Sequence, residues 1–188
     1  MVEGRLDEAV AKKLVCFTGH EVGGCFGRSG CGYMKNKIKG FNLAAQGSHY
    51  LALIDFMDTQ IVCPGDIINQ WLPHRNRKML FRVVVREIES WLLADTKSMA
   101  DFLNVEKSLI PTEVEDLTDP KQALINIARR SHSKNLRESI TPSLRSTARE
   151  GVLYNPEMIR FVRNFWNPEK ARVNSPSLEK CIQRLLEI

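Results

Sequence analysis

The sequence predicts an α/β fold, a parallel sheet flanked by helices, with a C-terminal helical extension. Three observations carry this. Residues 50–54 (Tyr50, Leu51, Ala52, Leu53, Ile54) are apolar without alternation, the pattern of a strand covered on both faces. Residues 79–85 form the strongest strand signal in the chain, separated from the first by a helical segment. Past residue 95 the alternation stops and only helical patterns remain. The expected division is therefore a core over 1–95 and a mainly helical extension over 96–188 packed on it.

The elements follow in order. Residues 6–15 place Leu6, Ala9, Val10 and Leu14 on one helical stripe, with Asp7 and Glu8 favourable in the first turn. His20-Glu21-Val22 reads as a short strand. Residues 23–32 contain five glycines. Such a loop presents amides to an anion, but it lacks the Gly-Lys-Ser/Thr ending of a phosphate-binding loop. A strand-flanking turn is the preferred reading, with Arg28 a candidate phosphate contact. Residues 33–46 predict a helix interrupted or bent near Gly40. Pro64 or Asp66 starts a helix through Leu72 with Ile67, Ile68 and Trp71 inward. Pro73 ends it, and the basic loop 74–78 leads into the second strand. Arg82 within that strand needs a carboxylate partner or a path to the sheet end. Residues 86–95 turn helical. Asp119-Pro120-Lys121 and Asn155-Pro156 are capped helix starts, and Asn174 to Ser177 caps a last helix carrying Leu178, Ile182, Leu185 and Leu186.

Composition bounds the class. The apolar share of 43% over 188 residues supports a real core. No apolar run reaches the roughly 20 residues of a membrane span, and residues 1–5 lack the layout of a secretion signal. Cys16, Cys25, Cys31, Cys63 and Cys181 are odd in number and form no C-x-x-C pair, so the expectation is a reducing cytoplasm with free thiols. Net charge is +5, unevenly spread: residues 87–119 carry a local net of −7 and residues 129–188 a local net of +6. Two readings are open, a polyanion surface beside an acidic site and an ordinary solvated helical surface.

The apolar run of the first strand stops at Asp55, with Asp58 three residues on. Carboxylates there sit at the crevice where α/β sheets bind ligands, and as hard oxygen donors they suit Mg²⁺. The alternative is that Asp55 caps the next turn. Glu87, after the second strand, is either a further sheet-end carboxylate or a helix N-terminal acid facing the dipole.

With these residues in view the chain resembles the Toprim pattern, a glutamate after the first strand and D-x-D after the third. Glu3-Gly4-x-x-Asp7, the glycine turn and Leu53-Ile54-Asp55 carry the likeness. The run 81–95, Asp119-Pro120-Lys121, Tyr154-Asn155-Pro156 and Ser175-Pro176-Ser177-Leu178 are similar to a Toprim-like group of domains of unknown function, thought of as ATPase partners in bacterial defence. Two positions depart from the pattern. Met57 stands where the second aspartate belongs, and only Met1 and Val2 precede Glu3.

The resemblance implies phosphodiester cleavage dependent on Mg²⁺ or Mn²⁺, with Glu3 as ligand or general acid/base and Asp55 as ligand. Asp58 and Glu87 complete the expected metal set. Nucleic acid would be held at phosphates by Arg28, Arg75, Arg77, Arg82, Arg129, Arg130, Lys134 and Arg137, and an ATPase subunit is a candidate partner. The competing expectation is a catalytically decayed module that binds nucleic acid or the ATPase. No tyrosine or zinc pattern supports a topoisomerase or primase.

Overall fold

A computed structural model describes residues 1–56, 63–143 and 146–188. The chain divides into two compact units. The first comprises Met1–Val85 and Ser177–Ile188, the second Arg86–Pro176. The division falls ten residues before the expected one, and the last helix belongs with the first unit.

In the first unit, helix α1 spans Arg5–Phe17. Asp7 and Glu8 lie in its first turn, and Leu6, Val10 and Leu14 form its buried stripe. It ends where Thr18 Oγ1 donates to the Leu14 carbonyl (3.0 Å) and Gly19 turns to φ +85°. Helix α2 spans Gly30–Ala44 without interruption at Gly40. One interior glycine costs about 1 kcal/mol against alanine, less than burying Met34 and Ile38 completely returns at roughly 1.5–3 kcal/mol each.

Strand β1 (Tyr50–Asp55), helix α3 (Pro64–Trp71) and strand β2 (Met79–Val84) follow. The strands pair in parallel, Tyr50 with Met79 through Asp55 with Val84. This register aligns Ala52 and Ile54 with Phe81 and Val83 on one face, in a cluster with Met34, Ile38, Ile67, Trp71 and Leu72 of α2, α3 and its cap. Trp71 stacks on Phe81 at 5.6 Å. Leu53 and Arg82 are register partners, so their side chains share the opposite face.

The parallel pairing continues beyond β1. The Met1 nitrogen donates to the Leu51 carbonyl (2.7 Å), and Leu53 N–H donates to the Met1 carbonyl (3.1 Å). Val2 bridges in parallel to Gly27 on its other side. Four parallel segments therefore run in the order 26–28, 1–3, β1, β2. Gly27 makes this possible: its φ is +107°, and an added Cβ would lie 2.1 Å from the Val2 carbonyl oxygen. The glycine-rich stretch is thus partly sheet edge, while residues 20–22, expected as a strand, form no regular element.

The second unit is helical: α4 (Ile88–Leu93), α5 (Thr96–Leu103), α6 (Pro120–Ala128), α7 (Lys134–Ile140), α8 (Tyr154–Asn164) and α9 (Pro168–Ala171). Asp119 caps α6 by accepting from Gln122 N–H (2.8 Å), with Pro120 as first helical residue. Asp95, 1% exposed, accepts from Ser98 N–H (3.3 Å) at the start of α5 and from Asn167 N–H (2.9 Å) ahead of α9. Trp91, Trp166, Tyr154 and Phe161 form its buried centre, and Trp166 Nε1–H donates to the Trp91 carbonyl (3.0 Å). The last helix, α10 (Pro176–Leu186), buries Leu178, Cys181, Ile182 and Leu185.

Candidate functional site

The carboxyl end of β1 positions the first candidate. Asp55 is its last residue, and its backbone N–H donates to Glu3 Oε1 at 2.9 Å. Glu3 reaches this place because Met1 and Val2 run beside β1 in parallel, so that the next residue emerges at the same rim. Gly30 N–H, at the start of α2, donates to the Glu3 carbonyl (3.1 Å) and fixes the backbone from the other side. Glu3 is only 8% exposed. Asp7, expected as a favourable first-turn acid, is buried as well, and its Oδ2 approaches so near to Gly4 that an added Cβ would sit 2.9 Å away. Glu3 and Asp7 thus flank Gly4, and Asp55 reaches Glu3 through its backbone N–H. Carboxylates withdrawn from water need hydrogen-bond donors or a cation, and their oxygens are of the kind Mg²⁺ prefers. Among the described residues, no three Asp, Glu, His or Cys side chains are grouped to hold a metal ion. Asp58 lies outside the described residues.

Glu87 belongs to the second unit. It sits at the cap position of α4, and its Oε2 accepts from Lys121 N–H (3.0 Å) in the first turn of α6. Beside it is a network that sequence reasoning missed. Glu89 is 2% exposed and its Oε1 accepts from the Tyr154 hydroxyl at 2.9 Å. Lys121 Nζ lies 3.5 Å from Glu89 and 3.3 Å from Glu150. Burial pushes the Glu89 carboxyl up to about 7; the Glu87 charge adds to this, while Lys121 and the Tyr154 hydroxyl oppose it. Burial also works against the Lys121 ammonium, but the surrounding carboxylates outweigh it and raise its pKa. Tyr154 is raised well above its ordinary value by burial and by Glu89. The motif pieces 81–95, 119–121 and 154–156 meet here. Their shared signal was order along the chain, which says nothing of contact.

The basic residues separate into groups. Arg28, with φ +67°, donates its backbone N–H to the Val2 carbonyl (2.8 Å) and lies 3.5 Å from Glu8 through Nε. Arg75, Arg77 and Arg82 line a cavity of about 110 Å³ with Arg184 of α10. Arg75 and Arg77 precede β2, so they stand at the amino end of the sheet. The five rises of about 3.3 Å along a six-residue strand separate that end from the rim of Asp55 by roughly 16 Å. In the second unit, Arg137 Nη1 donates to the Ser131 carbonyl, Arg129 Nη1 to Asn126 (3.2 Å), and Lys134 pairs with Glu138 at 3.8 Å. Arg129 and Arg130 are exposed at the carboxyl end of α6, where their charge complements the dipole. A larger cavity of about 670 Å³ opens between α1, residues 20–26 and the end of α10, lined by Val15, Phe26, Leu51 and Leu185 with His20 and Glu8. It contains neither Glu3 nor Asp55.

Fold and rim together define a parallel α/β unit with carboxylates at a strand end. Scans against protein-family models, curated proteins and solved structures match nothing to this chain. Among the described residues, no helix is long and apolar enough to cross a membrane.

Proposed function

We propose that the protein is a Toprim-like, Mg²⁺-dependent phosphodiesterase acting on nucleic acid, with its centre at Glu3 and Asp55. One observation carries this reading: residues 52 apart in sequence adjoin at the carboxyl rim of a parallel sheet, joined by a 2.9 Å hydrogen bond. The order of segments adds support, because the glutamate follows the first sheet segment of the chain and the aspartate ends the third. Carboxylates fit Mg²⁺ or Mn²⁺ as hard donors. Glu3 and Asp55 would hold the ion, with Asp58 the next candidate in sequence. A bound ion supplies charge stabilisation to the phosphodiester oxygens. Glu3 is oriented by the Asp55 amide, and its burial excludes water from one side of the carboxylate.

Arg28, beside Val2 and Glu3, is the basic residue best placed to hold a phosphate near the rim. The exposed Arg129 and Arg130 are suited to weaker, salt-sensitive contacts. An ATPase partner rests on the resemblance alone. Met57, standing in place of the second aspartate, favours a second reading, a decayed module that binds nucleic acid without cutting it.

The test is cleavage of single- and double-stranded DNA and RNA with Mg²⁺ or Mn²⁺. Glu3→Gln and Asp55→Asn keep the size of each side chain and leave the backbone bond in place. We expect each to lower cleavage at least 100-fold with folding intact. A folded wild-type protein that cuts no substrate with either ion overturns the reading. Salt-sensitive nucleic-acid binding with no heat of metal binding at millimolar Mg²⁺ would support the decayed module.

A further inference from the structure

Four arginines surround the small cavity at the amino end of β2. Arg82 stands at its floor, half-buried within the strand. Arg75 and Arg77 approach from the preceding loop and Arg184 from α10, all three exposed at the mouth. None of the described lining residues is an acid. Outside the lining, Glu187 pairs with Arg184 from one helical turn away. Arg82 Nε is sealed from solvent and has no hydrogen-bond partner among the described residues.

A strand arginine in a sheet is expected to meet a carboxylate. Here it meets other arginines instead. Arg75 is held below its ordinary value by burial first, then by the charges of Arg184 and Arg82. Like charges gathered around a hollow, with a buried donor lacking an acceptor, make the arrangement of a site whose counter-charge arrives from outside. Guanidinium forks match the oxygens of a phosphate by paired N–H donors. About 110 Å³ holds a few waters at roughly 30 Å³ each, or one tetrahedral anion.

We propose that Arg75, Arg82 and Arg184 form a binding pocket for a single phosphate group, distinct from the carboxylate rim and independent of any chemistry there. The group enters from the mouth, with Arg82 as the inner donor and Arg75 and Arg184 closing over its outer oxygens. Arg77, on the same loop, contributes long-range attraction. The ligand chemistry is a phosphate monoester or free phosphate, because a diester has a chain on both sides and would not seat at the floor.

Calorimetric titration of the full chain with inorganic phosphate, against chloride at equal ionic strength, tests this. We expect saturable one-to-one binding. Arg82→Gln should weaken it at least tenfold, and the double variant Arg75→Gln/Arg184→Gln, built from exposed residues, should do the same without changing Tm. Glu187→Gln should tighten binding two- to fivefold by releasing Arg184. Phosphate indistinguishable from chloride, or a double variant that binds as wild type, overturns the proposal. Displacement of phosphate by a 5′-phosphorylated but not a 5′-hydroxyl oligonucleotide assigns the source to a nucleic-acid end. Displacement by a nucleoside monophosphate alone assigns it to a small molecule, and either result supports the pocket.

Discussion

Replacing Glu89 with glutamine should make the protein more stable at alkaline pH, although it removes one half of an ion pair. Glu89 is buried in α4, with the Tyr154 hydroxyl 2.9 Å from Oε1 and Lys121 Nζ 3.5 Å away. Its carboxyl is pushed up to about 7 from an ordinary 4.5, by burial first. A raised pKa in the folded state means that the native form keeps a proton the unfolded chain has released. The stabilising contribution is therefore complete below pH 4.5 and is lost as pH climbs through 7. At 1.36 kcal/mol per pH unit the loss is about 3 kcal/mol. Glutamine is neutral at every pH and still offers Tyr154 an acceptor. Urea unfolding of both proteins from pH 4.5 to 8.5 reads the effect. The curves should coincide near pH 4.5, and Glu89→Gln should be more stable by about 2–3 kcal/mol at pH 8. A variant that is less stable than wild type at pH 8 would mean that Lys121 and the Tyr154 hydroxyl outweigh burial and hold the Glu89 carboxyl below its ordinary value. That result would refute the reasoning.

Two further outcomes follow from backbone and capping geometry. Gly27→Ala places a methyl 2.1 Å from the Val2 carbonyl oxygen at φ +107°; it should cost upwards of about 3 kcal/mol in chemical denaturation and weaken the hydrogen-exchange protection of Val2 and Arg28. Asp95→Ala leaves the amides of Ser98 and Asn167 without their acceptor; it should destabilise by about 2–4 kcal/mol, measured by urea unfolding, at roughly 1–3 kcal/mol for each buried donor. Glu3→Gln and Asp55→Asn should lower metal-dependent cleavage at least 100-fold, and Arg82→Gln should weaken phosphate binding at least tenfold, while each leaves the other property intact.

Much of the fold could be read from short windows. The run of residues 50–54 gave β1, and the apolar residues before Val85 gave β2. Asp119 followed by Pro120 marks a helix start because cap and first turn are chemistry between residues three apart. The stripe Leu6, Val10, Leu14 marks α1 for the same local reason. Other windows misled. Gly40 argues for a break, yet α2 runs on to Ala44, with Met34 and Ile38 buried one turn apart on the same face. Residues 20–22 show strand composition, but the sheet contact falls at Gly27, where the absence of a Cβ admits Val2. A sheet segment as short as Met1–Val2 has no periodicity to detect.

The candidate sites were legible in residue type more than in arrangement. Asp55 stood out as the acid that ends a strand-like run and Glu3 through the resemblance alone, and their meeting depends on a parallel crossover. Glu87 looked like a third member of that rim, yet its carboxylate caps Lys121 in the second unit. Arg184 carried no signal, since an arginine on the exposed side of a helix is ordinary. It matters because α10 returns to the first unit and lays it beside Arg82.

By itself the sequence determined β1, β2 and most helices, where several helices start, and that acids and arginines lie at strand boundaries. Those properties depend on hydrophobic period and on hydrogen bonds between near neighbours. Only the tertiary structure decided that Asp55 meets Glu3, that Glu89 meets Tyr154 across 65 residues, and that Arg82 meets arginines in place of a carboxylate. Such encounters are set by register and by which faces are buried together, because burial acts on area and carries no memory of chain distance.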